Sequence, residues 1–144
     1  MFTLHPQLQQ DSLTLGHFQL SRLLLSRDAN YPWCILVPAR TDVTEIHHLA
    51  IEDRQQLLVE SCQLSEAMVD LFTPDKMNIA VLGNIVPQLH MHHVARYRND
   101  PAWPGPIWGA LPSQPYKDTD LNARAKQIVD ALIGEDFTPE RLRK

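Results

Sequence analysis

Apolar residues along this 144-residue chain change their spacing several times, and each change marks an element. Residues 18 to 26 (Phe18 to Ser26) and 33 to 38 (Trp33 to Pro38) are rich in Leu, Ile and Val. The intervening Asp28-Ala29-Asn30-Tyr31-Pro32 is turn chemistry, so the pair predicts a hairpin with a longer loop. Asp42-Val43-Thr44-Glu45 fits a capping box that would open a short helix through His48. In the longer helix that follows, Leu57, Ser61, Leu64, Met68 and Leu71 recur at steps of four and three, with Leu58, Cys62, Val69 and Phe72 widening the stripe. Pro74 ends it.

Met77 to Leu82 reads as a buried strand, Gly83 to Pro87 as a tight loop, and Leu89 to Arg96 as a second strand. A loop that short cannot cross over, so the two strands should pair antiparallel. Five prolines with Trp103 and Trp108 make 99–115 irregular, yet too aromatic for a free linker, and it should pack on the body or on a partner subunit. A last helix, roughly Asp120 to Ile133 within 118–134, carries Leu121, Ala125, Ile128 and Leu132 on one face, with Gly134 as its stop. Phe2 to Gly16 is expected to be a short helical turn or loop. The sum is one α+β domain over 1–144, with a mainly antiparallel five-stranded sheet, a long helix packed on it and a C-terminal helix.

Composition narrows the function classes. The formal net charge is −4 and no block of Lys or Arg appears, which argues against nucleic acid as the partner. No apolar run approaches the ~20 residues that span a bilayer, and Met1 to Gln10 lacks a signal pattern, so a cytoplasmic protein without membrane attachment is expected. Cys34 and Cys62 lack the spacing of a zinc motif or a redox pair, and buried free thiols are the default.

The chemistry should lie in Gln88-Leu89-His90-Met91-His92-His93, which holds three of the seven histidines. In a strand, Gln88, His90, His92 and Val94 share one face, which sets two imidazoles side by side at roughly 7 Å. Three readings compete: histidines satisfied by packing, a metal pair, or an imidazole nucleophile attacking phosphorus or a carbonyl. The metal reading wants a third ligand, and His93 points the other way.

Gly83-Asn84-Ile85-Val86-Pro87-Gln88-Leu89-His90-Met91-His92 resembles the signature of the histidine triad (HIT) family of nucleotide hydrolases and transferases. The strand Ile35-Leu36-Val37-Pro38 and the Met77-Asn78-Ile79 strand also come in the family's order. The resemblance implies that His90 is the nucleophile forming a covalent nucleotidyl-histidine, and that His92 stands near the scissile phosphate. It further implies that Asn84 donates to a phosphate oxygen, that Asn78 lies beside the site, and that Asp28 (or Arg27 or Ser26) contacts a ribose. The first triad position is Gln88, which can donate but cannot titrate and is expected with His92 around the reacting phosphate as part of the catalytic group, and the upstream position often held by His is Cys34. The implied activity is metal-independent and cofactor-free hydrolysis or nucleotidyl transfer at the α-phosphate of a nucleoside phosphoramidate or dinucleoside polyphosphate, by a homodimer. The rival is a non-catalytic nucleotide-binding or sensing protein that keeps the pocket.

Overall fold

Short connections between apolar runs force successive strands to run antiparallel, and every pairing in the sheet does so. The computed structural model describes residues 1–140; the last four residues of the expected 1–144 unit lie outside it. The elements are α1 (Pro6–Asp11), β1 (Ser12–His17), β2 (Ser21–Ser26), β3 (Trp33–Pro38), a 3-10 turn (Ile46–His48), α2 (Ile51–Phe72), β4 (Lys76–Ala80), β5 (Met91–Arg96), α3 (Asp120–Ala131) and β6 (Thr138–Pro139). They build an α+β fold around one six-stranded sheet in the order β4-β5-β3-β2-β1-β6.

Each face of the sheet has its own cover. On one side Leu23, Leu25, Cys34 and Leu36 meet Leu57, Leu64 and Met68 of α2 and Ala125 and Ile128 of α3 in the main core. Fully burying each such Leu stabilises the fold by about 1.5–3 kcal/mol. On the other side Leu24, Ile35 and Val37 are covered by Leu8 of α1, by Val86, and by Phe2 and Leu4. Farther along that face Val94 meets Tyr31 and Ile107.

Four expectations need correction. The sheet has six strands because Leu13-Thr14-Leu15, an alternating run inside the stretch expected as loop, forms β1 and recruits β6. Met77–Leu82 is not a buried central strand: β4 spans Lys76–Ala80 at the sheet edge, with Ile79 half exposed. The capping box does not form, since Asp42 takes φ 60° in a turn and Leu89 N–H bonds to Val43 O, which ties that segment to the histidine run instead. Only the 3-10 turn follows, without a side-chain cap. On α2, Leu58, Val69 and Cys62 face outward while Glu60 is fully buried, accepting the backbone N–H groups of Leu20 and Ser21 and so closing the β1–β2 turn.

The β1–β6 edge depends on one small residue. Gly16 sits at a bulge in β1, and a Cβ placed there would stand 2.2 Å from Thr138 O and 2.7 Å from the Phe137 ring. Gly16→Ala should therefore expel β6 and uncover Phe137, lowering unfolding stability by about 1–3 kcal/mol in urea titration. Unchanged stability would show that β6 contributes nothing.

Candidate active site

Cross-strand register decides which side chains meet. On β5 His92 lies opposite Ile35 and Val94 opposite Trp33, so Trp33, Ile35, His92 and Val94 share the face away from the long helices. His93 lies opposite Cys34 and turns into the main core. Its Nδ1–H donates to Met91 O at 3.1 Å, which leaves Nε2 to accept from the Ser61 hydroxyl at 2.7 Å. Burial pushes its pKa down to about 4 against the Met91 hydrogen bond.

His90, just before β5, and His92 are each 6% exposed, and their rings meet edge to face with centroids 4.8 Å apart. That is closer than the strand repeat suggests, because the rings lean together. His90 Nδ1 stands 2.7 Å from Gln88 O; a carbonyl only accepts, so Nδ1 carries the proton and Nε2 keeps a free lone pair. His92 has the opposite tautomer. The indole N–H of Trp33 donates to His92 Nδ1 at 3.0 Å, so the proton of the neutral ring sits on Nε2. Burial, then the neighbouring His90 and His93, push the His92 pKa down to about 3. The pair thus offers one bare nitrogen and one neutral N–H donor.

Both rings open into a cavity of about 550 Å³ walled by Trp33, Trp108, Leu8, Ile35 and the loop from Leu82 to Val86. Gly83, at φ 97°, turns that loop so that Asn84 lines the cavity. Trp108 lies 5.1 Å from the His92 ring between centroids, and its buried indole N–H has no protein partner among the described residues. A second compartment of about 420 Å³ shares Asp11, Ser26, Trp33 and Trp108 with the first and holds Asp28.

Three of the residues singled out in the sequence do not gather there. The Gln88 side chain turns aside: Oε1 accepts His5 N–H and Nε2 donates to Thr3 O, both at 2.9 Å. Asn78 lies on the edge strand with its Oδ1 accepting from Arg96 at 2.8 Å, and it does not line the cavity. Asp28 accepts the N–H groups of Asn30 and Gln114, tying the hairpin loop to the 112–114 stretch and placing it one compartment away from the histidines.

Cys34 is likewise not the upstream partner of the triad. It is fully buried on the helix side with its thiol pushed up to about 12 by burial, and the neighbour that reaches His92 is Trp33. The parity of β3 could have revealed this only once its register against β5 was known. Of the two tryptophans in 99–115, Trp108 walls the cavity while Trp103 stacks on the Arg96 guanidinium.

The HIT domain model matches residues 7–99. The chain belongs to the histidine triad family. It is similar to solved histidine triad proteins from Marinobacter aquaeolei VT8 (47% identity, TM-score 0.89, 92% of this chain and 97% of that one) and Bradyrhizobium japonicum (39%, 0.88, 90% and 97%). A third, from Sinorhizobium meliloti 1021, shares 36% identity with a TM-score of 0.89 over 92% of this chain and 98% of that one. No curated protein matches. The family comprises nucleotide hydrolases and transferases. Among the described residues no helix is long and apolar enough to cross a membrane, and no three His, Cys, Asp or Glu side chains form a metal-binding group.

The two neutral buried rings set a pH dependence. An unfolded chain protonates His92 and His93 near 6.5, whereas the folded one resists until about 3 and 4, so stability is greatest above pH 6.5 and falls as pH drops below it. Urea midpoints should decline between pH 7.5 and pH 5, and a flat profile would contradict the burial of neutral imidazoles.

Proposed function

We propose that this histidine triad protein is a metal-independent hydrolase, or nucleotidyl transferase, acting at the α-phosphate of a nucleotide conjugate. The observation that carries the reading is the pair of fixed tautomers. His90 presents Nε2 as nucleophile because Gln88 O holds its other nitrogen, and His92 presents Nε2–H because Trp33 holds its Nδ1. In the first step His90 Nε2 bonds to phosphorus as the leaving group departs with its bonding pair; water then bonds to phosphorus as the P–N bond breaks and its electron pair returns to Nε2, with the water proton lost to solvent and the nucleoside monophosphate released. Asn84 steadies a non-bridging oxygen, the largely apolar cavity takes the base, and Asp28 in the adjoining compartment offers a carboxylate to ribose hydroxyls. The free indole N–H of Trp108 supplies a further donor.

His92 remains neutral well below pH 7, so it offers a hydrogen bond rather than a readily delivered second proton. The candidate conjugates are dinucleoside polyphosphates, whose leaving group departs as a phosphate anion, and phosphoramidates, whose amine must be protonated. On a panel of both, turnover should survive a chelator, and mass spectrometry should trap a nucleotidyl adduct on His90. His90→Ala should lose at least about a thousandfold in kcat with its fold intact. Tight nucleoside monophosphate binding with no adduct from any substrate would favour the sensing role instead.

The acting unit in this proposal is a homodimer. Ile51, Leu58, Val59 and Val69 of α2 are 43–65% exposed, and β4 leaves its outer edge unpaired among the described residues, with Ile79 50% exposed beside it. Sedimentation should show a dimer, and Leu58→Glu should shift it toward monomer.

A further inference from the structure

The Gln88 amide makes a two-point contact with chain more than 80 residues away. In an extended segment the C=O of one residue and the N–H two residues on point to the same side, and Gln88 meets this pair, Thr3 O with Nε2 and His5 N with Oε1. A planar amide carries donor and acceptor side by side at every pH. The two nitrogens of an imidazole diverge, so a histidine here could satisfy one of the partners but not both.

The segment so held leads directly into a wall of the site. His5 caps α1 by accepting Gln7 N–H on its Nδ1, and Gln7, Leu8 and Asp11 of α1 line the cavity opposite His90 and His92. Phe2 and Leu4 pack beneath it on the cluster of Leu24, Ile35, Val37 and Val86. The same Gln88 offers its backbone oxygen to His90 Nδ1. One residue therefore joins the nucleophile to the wall.

We propose that Gln88 is a positioning residue that latches the N-terminal segment from which α1 enters the cavity wall, so that nucleotide affinity at this site depends on residues 2–8. Nucleotide as the ligand rests on the function proposed above; the latch itself does not. In place of the reacting-group contact expected for the first triad position, the side chain builds the binding wall and leaves the orientation of His90 to its main chain.

The test compares the full chain with Gln88→Met, which keeps the length and removes both hydrogen bonds, and with Gln88→His, which restores the family residue. Without ligand, amide hydrogen exchange at residues 5–8 should rise at least about tenfold in both variants while β3 amides stay protected. Titration with adenosine monophosphate should show about a tenfold loss of affinity, and deleting residues 1–4 should reproduce that loss without adding to it in the Gln88→Met background. Unchanged exchange at residues 5–8 would overturn the latch, as would tighter binding in Gln88→His. Faster exchange with unaltered affinity would overturn its role in nucleotide binding. If the unaltered chain bound no adenosine monophosphate, the proposed function would fail while the exchange result still judged the latch.

Discussion

The Arg96 guanidinium is the interaction on which the irregular half of the molecule depends. It is 1% exposed, so its donors depend on protein acceptors, and four of its five N–H groups have one. Two go to the Asp100 carboxylate at 2.7 and 3.0 Å, one to Asn78 and one to Gly105 O, while Tyr31 and Trp103 flank the cation. Burial alone would raise the Asp100 pKa, but the Arg96 hydrogen bonds and the N–H groups of Tyr97 and Ala102 hold it at about 2. A stretch with five prolines cannot build a ladder of its own. Tied to this buried pair, it delivers Ile107 to the sheet and Trp108 to the cavity wall.

The strand's period of two does the sorting beyond that point. Adjacent residues His92 and His93 have nearly the same exposure and quite different tasks, because one faces the cavity and the other the helices. Both are kept neutral by burial, yet only His92 has its remaining N–H on the open side. The fold thus commits one imidazole to packing, through Ser61, and turns two toward the cavity.

Much of this was legible in the chain. The hairpin, the long helix and the histidine strand all announce themselves by spacing and turn residues, and the alternation around His90 and His92 already sets the two rings on one face. What escaped the reading depends on contacts distant in sequence. Nothing local says that Leu13-Thr14-Leu15 will find β2, that Trp33 rather than Cys34 will face His92, or that Gln88 will meet Thr3 and His5. Asp42 failed as a cap because Val43 was claimed by Leu89, a partner 46 residues away by subtraction. Asn78 and Asp28 are both polar residues of the expected motif order, and only the structure shows that Asn78 is taken up by Arg96 while Asp28 lines the adjoining compartment.

The placement of the indoles has an optical consequence. Two of the three tryptophans, Trp33 and Trp108, form the cavity wall with rings 6.2 Å apart, while Trp103 stacks on Arg96. None lies in the core under the helices. The intrinsic emission of this protein is therefore weighted toward the cavity rather than averaged over the fold, and the occupancy of that cavity can be followed by ultraviolet light without attaching a label.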